Sequence, residues 1–241
     1  MQHLGTQFLQ RLAHDIASPT GVAITVLEEL ATSHEPRPEL VAMARRSLKR
    51  LIRLAEHLAV VSELEDQTIE LGTMSLDLCA LCTQAFDSAL AVDGRKDVVT
   101  SSELPTLPAH VKADPRLLHL VIREIVGNAL RLASSRVGLV VEIADASVLI
   151  RVQDDGPGFS EEARATLGQR FVRRSAQQGL GLSMSMALEI VRIHGGTLNL
   201  EDSLLPPGRG ETRGSAVIVT LPLTLLPELR SGLRVSLRGN Q

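Results

Sequence analysis

Apolar residues follow a helical pattern through about the first seventy residues. Between Leu9 and Leu30 they recur at alternating spacings of three and four, and a second, wider apolar stripe runs from Leu40 to Val61. The proline-containing turn SHEPRPE separates the two stripes. Two such helices cannot bury both faces alone, and pairing with a second copy gives a four-helix bundle. The pattern therefore predicts an all-α helical hairpin over residues 1–68 that dimerises.

From about residue 74 the pattern changes to mixed helix and strand. Helices are predicted at 78–90, at 114–133 and from near Leu182 to the glycines of HGG, one of which should provide a left-handed cap. Apolar residues alternate on both sides of the turn DAS, and again in the segments TLNLE and SAVIVTL. This order predicts an α/β sandwich, a mixed sheet with helices on one face, over residues 74–225. Residues 226–241 form a tail of unknown role.

The composition excludes several classes of protein. The chain has 241 residues, 44% of them hydrophobic, and a net charge of −3, which is too apolar for a disordered chain and long enough for two small domains. It has no apolar run long enough to span a membrane and no secretion signal. A mildly acidic chain with 2% aromatic residues lacks the basic surface and stacking rings of nucleic-acid-binding proteins. The two cysteines suit a reducing compartment, so a cytoplasmic protein is expected.

The first candidate for chemistry is His14. It lies about 200° around the first helix from the apolar seam, so its imidazole should project into solvent. Asp15 follows it, and Ser18 comes one turn later on the same face. An exposed imidazole beside a carboxylate is what a nucleophile with its own proton acceptor requires. A solvated surface histidine is the alternative interpretation.

The second candidate is the helix predicted at 114–133. Glu124 and Asn128 are four residues apart and share a face, with Arg131 adjacent. A carboxamide oxygen is a good ligand for Mg²⁺, and arginine can pair with phosphate. A buried, hydrogen-bonded asparagine on a core helix would explain Asn128 without any ligand.

Two glycine-rich segments could approach a ligand closely. In VQDDGPGF, Gly156 and Gly158 allow a tight turn, and Asp154 at the strand end can accept a hydrogen bond from an exocyclic amine. A plain turn accounts for these residues equally well. In QQGLGLSM, Gly179 and Gly181 precede a helix whose N-terminus could hold a phosphate chain. The phosphate-binding sequence GxxxxGK[ST] does not occur in the chain.

In their order and spacing, these segments resemble the sensor histidine kinases of two-component signalling, over roughly residues 8–223. The segment LAHDIASP resembles the phosphoacceptor box of that family, and DPRLLHLVIREIVGNALRLA resembles its N box. DDGPGF resembles the G1 box, QRFVR the F box and GLGL the G2 box. Several separate motifs in one order are very improbable by chance.

The resemblance implies a homodimeric phosphotransfer bundle followed by an ATP-binding domain of the gyrase, chaperone and histidine-kinase type. It implies that His14 attacks the γ-phosphate of Mg·ATP, that Asp15 takes the imidazole proton, and that the phosphoryl group then passes to an aspartate of a response regulator. The ATP-site residues that it implies are the Mg²⁺ ligand Asn128, the phosphate-contacting Arg131, the adenine-reading Asp154, the pocket and lid glycines Gly156, Gly158, Gly179 and Gly181, and the lid residue Phe171.

Some positions depart from the family pattern and leave alternatives open. Glu124 stands where many members have asparagine, and it matches the catalytic base of gyrase-type ATPases, so a nucleotide-gated binding protein or ATPase is one alternative. A histidine phosphotransfer adaptor with a vestigial ATP-binding fold is another. Ser18 stands where many members carry a threonine or asparagine that serves phosphatase action on the regulator. Only thirteen residues precede His14, so the sensor is expected in a longer chain or a separate protein. The CxxC of Cys79 and Cys82 has no second pair, which favours core packing over metal binding.

Overall fold

The computed structural model describes residues 6–32, 37–168, 182–208 and 213–224, apart from a few side chains near the start of the first helix. By its internal contacts the chain forms two compact units. One comprises residues 1–69 with 165–186, and the other residues 70–164 with 187–241. Phe171, Gly179, Gly181 and the tail from residue 226 lie outside the described residues. Within the described ranges, no helix combines the length and the apolarity needed to cross a membrane.

The first unit contains a helical hairpin, as predicted. Helix α1 spans Thr6–Thr32 and α2 spans Pro38–Glu65, and the two helices pack against each other. Proline is favourable at the start of α2 because the first helical residue needs no N–H partner. The described residues that are buried along the hairpin are small or β-branched for the most part: Pro19, Ala23, Val26, Ala44, His57, Val60 and Val61.

Both helices also carry apolar side chains that the single hairpin leaves exposed. Leu9 and Ile16 are 54% and 43% exposed in the single hairpin, whereas Pro19, Ala23 and Val26 of the same predicted seam are buried. The other large exposed apolar side chains of the hairpin are Val22, Ile24, Leu27, Val41, Met43, Leu48 and Ile52. A hairpin with this much exposed apolar surface has a face for a further helix.

The second unit is built around a mixed sheet, also as predicted. The elements after the hairpin are β1 Met74–Asp77, α3 Leu78–Asp93, β2 Val99–Glu103, β3 His110–Ala113, α4 Pro115–Leu132, β4 Arg136–Ala144, β5 Ser147–Asp154, α5 Glu161–Ala165, α6 Ser183–Ile193, β6 Thr197–Asp202 and β7 Ser215–Pro222. The five-stranded sheet has the order β2-β4-β5-β7-β6, in which only the β2–β4 pair is parallel. Strands β1 and β3 form a separate antiparallel pair. The short strands β1, β2 and β3 were not predicted.

The core lies between one face of the sheet and helix α4, which also packs against α3. The inward residues alternate along the hairpin of β4 and β5, as the pattern predicts: Val137, Leu139, Val141, Val148, Ile150 and Val152 are all buried. Helix α4 covers them with a wide apolar surface that includes Leu117, Leu118, Val121, Ile122 and Ile125. Ile143, predicted to be buried with them, is 39% exposed because it lies next to the hairpin turn, where Asp145 has a positive φ of 51°.

Helix α4 begins at a capped end. The Oδ1 atom of Asp114 accepts the backbone N–H groups of Arg116 and Leu117, at 2.9 and 3.2 Å. These bonds satisfy two of the donors that the first turn of a helix leaves open. The other carboxylate oxygen, Oδ2, accepts the N–H of Gly72 at 3.1 Å, so the same side chain also fixes the segment that leads into β1.

A buried histidine joins the end of α6 to this cap. His194 Nδ1 is 2.7 Å from the carbonyl oxygen of Ile190, and the backbone N–H of Asp114 donates to His194 Nε2 at 3.0 Å. Both contacts are satisfied only by the neutral imidazole with its proton on Nδ1. The next residue, Gly195, has a φ of +74°, which confirms the predicted left-handed cap.

We expect His194→Leu to lower the free energy of unfolding by about 1–3 kcal/mol, because it leaves the buried N–H of Asp114 without its acceptor. Urea unfolding followed by circular dichroism measures the loss. The matched control is Arg192→Ala on the same helix, where an exposed arginine pairs with Glu189 at 2.7 Å and should contribute much less than the buried histidine, because solvent screens the pair. Equal losses in the two variants would contradict the structural role of the histidine.

Candidate functional site

The structure places His14 on the exposed side of α1. Its side chain is 78% exposed, and its Nδ1 atom lies 3.3 Å from Oδ1 of Asp15. Asp15 is much less exposed, at 15%. Ser18, predicted on the same face, is also exposed.

The contact between His14 and Asp15 selects one tautomer of the imidazole. An ionised carboxylate can only accept hydrogen bonds, so the proton of a neutral His14 belongs on Nδ1. The lone pair is then on Nε2, at the outer end of an exposed ring. This arrangement presents an unprotonated nitrogen to any electrophile that approaches from solvent.

The second group of candidate residues lies along one face of α4. Glu124 is fully buried, and Arg123 Nη2 is 3.4 Å from its Oε1 atom. One turn later, Asn128 is half-buried, and its Oδ1 atom accepts a hydrogen bond from Nη2 of Arg131. Arg131 in turn places its Nη1 atom 3.3 Å from Oδ1 of Asp93, at the end of α3. Asn128 is therefore not a core asparagine: its amide lies at the surface, bound to an arginine.

The third group surrounds Asp154 at the end of β5. Its carboxylate is buried: Oδ1 accepts the N–H of Gly156 at 2.8 Å, and Oδ2 accepts the hydroxyl of Ser215 at 2.5 Å. A carboxylate can accept about four hydrogen bonds, so Asp154 retains capacity for a ligand. Burial raises the pKa of Asp154 above its ordinary value, and the hydrogen bonds from Ser215 and Gly156 oppose that rise.

The glycines near Asp154 are required by close backbone contacts. A Cβ atom on Gly156 would lie 2.3 Å from the carbonyl oxygen of Leu132, at the end of α4. Gly158 has a φ of +78°, and a Cβ atom there would lie 2.5 Å from the carbonyl oxygen of Arg213. A Cβ atom on Gly214 would lie 1.8 Å from the carbonyl oxygen of Asp154 itself. The end of β5 therefore fits against α4 on one side and the start of β7 on the other.

The neighbouring Asp155 ties the same turn to the start of β4. Its carboxylate accepts the N–H groups of Ser135 and Arg136, at 2.8 and 2.9 Å, and the hydroxyl of Ser135 at 2.6 Å. Burial acts to raise the pKa of Asp155, but the hydrogen bonds from Ser135 and Arg136 outweigh it and lower that pKa below its ordinary value. Asp155 is thus an anion whose hydrogen bonds hold this turn against the start of β4.

The structure brings the α4 and β5 candidates together within one unit. Contacts between Gly156 and Leu132 and between Asp155 and Ser135 join the end of β5 to the end of the helix that carries Asn128 and Arg131. Sequence reasoning missed Ser215 and Asp155. The signal for Ser215 would have been a hydroxyl residue directly after a glycine at the start of a strand, and that for Asp155 a second aspartate before the GPG turn.

Phe171, Gly179 and Gly181 fall outside the described residues. Cys82 is buried and Cys79 half-buried, both as free thiols, and burial raises the pKa of each. Among the residues that the structure describes, no three or more His, Cys, Asp and Glu side chains cluster as a metal site would require.

Comparisons with known proteins give the families and proteins to which the chain is similar. Residues 113–225 match the family of histidine kinase-, DNA gyrase B- and HSP90-like ATPases. Over 220 residues the chain is 29% identical to the signal transduction histidine-protein kinase AfsQ2 of Streptomyces coelicolor, covering 82% of this chain and 39% of that protein. Over 227 residues it is 28% identical to the sensor protein kinase PmrB of Pseudomonas aeruginosa, covering 88% of this chain and 44% of that protein.

Solved structures show the same fold. The structure of full-length ShkA in complex with AMPPNP superposes with a TM-score of 0.64 at 20% identity, covering 90% of this chain and 46% of that one. The chain thus spans less than half the length of ShkA and of the two curated relatives, AfsQ2 and PmrB.

Removing the hydroxyl of Ser215 should raise the pKa of Asp154 further above 3.8. A carboxyl with a raised native pKa binds more protons in the folded than in the unfolded state, so stability falls as the pH rises from the unfolded pKa through the native pKa. We therefore expect Ser215→Ala to lose more free energy of unfolding between about pH 4 and pH 7 than the native protein loses. Urea unfolding at both pH values measures the difference.

The matched control is Ser215→Thr, which keeps the hydroxyl and should preserve the native pH dependence. The same pH dependence in Ser215→Ala as in the native protein would contradict the role given to the Ser215 hydroxyl.

Proposed function

We propose that the chain carries the catalytic core of a sensor histidine kinase, that it uses ATP to phosphorylate His14, and that it then passes the phosphoryl group to an aspartate of a response regulator. The observation that carries the proposal is the imidazole of His14, 78% exposed and 3.3 Å from the Asp15 carboxylate. The match of residues 113–225 to an ATPase family supports the use of ATP by the same chain.

The proposed reaction begins at Nε2 of His14. Because the Nδ1 proton points to Asp15, the lone pair on Nε2 forms the new bond to the γ-phosphorus of ATP. The bond between that phosphorus and the β–γ bridging oxygen breaks, and ADP leaves with the electron pair. Asp15 accepts the Nδ1 proton, so the phosphorylated ring does not retain an extra positive charge.

We assign ATP binding to the two groups that meet at the end of α4. Asp154 would accept a hydrogen bond from the exocyclic amine of adenine, while Gly156 and Ser215 hold its carboxylate in place. Asn128 and Arg131 would face the phosphate chain, where positioning and charge neutralisation supply most of the catalysis. Gly158 would shape the turn beside the adenine. Phe171, Gly179 and Gly181 belong to the proposed pocket and lid through the family resemblance alone.

Asn128 also fits the role of a Mg²⁺ ligand. Its amide oxygen lies at the half-exposed surface of α4 and accepts a hydrogen bond from the side chain of Arg131, which is 41% exposed. Proteins commonly give Mg²⁺ one or two oxygen ligands and leave the others to phosphate oxygens and water, so a single amide oxygen is sufficient. Mg²⁺ bound with ATP would neutralise part of the charge on the phosphate chain.

Glu124 remains in the proposal as an acidic residue on the same face as Asn128. Its carboxylate is fully buried, with Arg123 Nη2 at 3.4 Å, and such a pair is costly to break. Activation of a water molecule, which ATP hydrolysis requires, would need this carboxylate to become exposed. We therefore propose that Glu124 assists phosphate transfer while its carboxylate stays buried beside Arg123. We also propose that ATP hydrolysis is slow.

The exposed apolar side chains of the hairpin support a homodimer. Ile24 and Leu27 on α1, with Leu48 and Ile52 on α2, are between 47% and 60% exposed, and a second copy would bury them in a four-helix bundle. The proposed partners are this second copy, the receiver domain of a response regulator and a sensor in a longer chain or a separate protein. We place the reaction in the cytoplasm, where ATP is available.

Ser18 is exposed on α1, four residues after His14. We propose that its hydroxyl can approach a regulator docked at His14 and orient water there, as a weaker substitute for the threonine or asparagine of related kinases.

Incubation with Mg²⁺ and γ-labelled ATP should label the protein with an acid-labile, alkali-stable phosphoryl group, and His14→Gln should abolish the label. Phosphohistidine has this stability because its phosphorus is bonded to nitrogen. The variant should still bind ATP, since the substituted side chain lies in the other unit from Asn128 and Asp154. Calorimetry checks the binding. Label that survives in His14→Gln, or that resists acid, would disprove His14 as the phosphoacceptor.

Asp15→Asn should slow the labelling of His14 by about 10²–10⁴-fold while ATP affinity stays unchanged, because an amide can accept the Nδ1 hydrogen bond but cannot accept the proton. The initial rate of labelling at saturating ATP measures the effect. Asp15→Glu keeps the carboxylate and should recover part of the rate. A normal rate in Asp15→Asn would show that the proton leaves by another route.

A further inference from the structure

We propose that Asp93 is a positioning residue that holds Arg131 on Asn128 when no nucleotide is bound, and that its negative charge weakens the binding of the triphosphate. This inference rests on the function proposed above, in which Arg131 faces the phosphate chain and Asn128 the metal ion. We refer to the three side chains as the Asp93–Arg131–Asn128 cluster.

The cluster connects two helices through one guanidinium group. Nη1 of Arg131 lies 3.3 Å from Oδ1 of Asp93, and Nη2 donates to Oδ1 of Asn128. Asp93 is the last residue of α3, which packs against α4, and it lies 38 residues before Arg131. The two sides of Arg131 are therefore held by groups from different helices.

The exposure of the two charged side chains leaves the cluster open to an anion. The side chain of Asp93 is only 14% exposed, whereas that of Arg131 is 41% exposed. The carboxylate thus approaches the guanidinium from the protein side, and a phosphate chain can approach it from solvent. An anionic ligand need not displace Asp93 to reach Arg131.

Carboxylate and phosphate oxygens are acceptors of the same chemical class for a guanidinium group. Asp93 therefore lowers the charge that Arg131 offers to an incoming phosphate. Asn128 supplies the second anchor, through the oxygen that would bind Mg²⁺. When a phosphate draws Nη2 of Arg131 away, that oxygen becomes available to the cation, so the cluster couples the two binding events.

The position of Asp93 is not explained by the stability of α3. The C-terminal end of a helix carries a partial negative charge, and an aspartate there is unfavourable. No basic residue occupies the last turn of α3 to compensate for it. The carboxylate instead finds its positive partner on α4, at the residue to which phosphate binding is assigned.

Calorimetric titration of the full chain with AMPPNP tests the proposal. We expect Asp93→Asn to bind AMPPNP about two- to fivefold more tightly than the native protein, the effect of removing one partly exposed ionic partner of Arg131. The gain should shrink as salt is added, because screening weakens charge effects. Adenosine, which has no phosphate, should bind both proteins equally. The matched control is Asp87→Asn, an exposed aspartate six residues earlier on α3, which should leave the AMPPNP affinity unchanged.

A double-variant cycle asks whether Asp93 acts through Arg131. In an Arg131→Gln background, Asp93→Asn should no longer change the affinity for AMPPNP. An equal gain in that background, or the same gain in Asp87→Asn, would show a general charge effect and would overturn the proposal. Unchanged or weaker AMPPNP binding in Asp93→Asn would overturn it as well.

These results are separable from a failure of the proposed function. AMPPNP does not transfer its terminal phosphoryl group, so its affinity does not depend on phosphorylation of His14. A protein that binds AMPPNP as described but is never labelled would lose the kinase function and keep the role of Asp93. A native protein that does not bind AMPPNP would overturn both.

Discussion

The site depends on one packing constraint, the backbone contact of the end of β5 with the end of α4. A Cβ atom on Gly156 would lie 2.3 Å from the carbonyl oxygen of Leu132, and one on Gly214 would lie 1.8 Å from that of Asp154. Three backbone segments therefore meet with no side chain between them. Their relative positions follow from backbone geometry rather than from rotamers, which makes the distance between Asp154 and the face of Asn128 hard to alter.

Two adjacent aspartates, Asp154 and Asp155, have different roles at this junction. Asp155 accepts three hydrogen bonds from Ser135 and Arg136, which lower its pKa and commit its charge to the join between α4 and β4. Asp154 is buried with two donors, Gly156 and Ser215, and burial raises its pKa. Its negative charge is therefore less stabilised by the protein, and it gains more from a further donor such as the amine of a ligand. The carboxylate of Asp155 therefore holds the junction together, and that of Asp154 remains available to recognise a ligand.

The elements predicted correctly are those with a strong local period. Helix α4, the hairpin of β4 and β5 and the cap at Gly195 each follow from residues within one short segment. Strands β1, β2 and β3 have four or five residues each, too few for a clear alternation. In the site, Ser215 and Asp93 were missed because their partners are 61 and 38 residues away, and a single sequence carries no signal for such pairs. Leu9 and Ile16 of the predicted seam are exposed in the single hairpin, and their burial against a second copy stays a prediction.

His14 and its acceptor Asp15 are adjacent in sequence, so both groups of the candidate phosphoacceptor lie on α1. Asp154 accepts hydrogen bonds from Gly156 and Ser215, and Arg131 contacts Asn128 and Asp93, all within the second unit. In the proposed function the imidazole must first meet ATP and later the aspartate of a regulator. A side chain that serves two partners in turn cannot be enclosed by either one, and this requirement explains why the reactive nitrogen is on an exposed ring. The enclosure that phosphoryl transfer needs must then come from whichever partner is docked on His14 at each step.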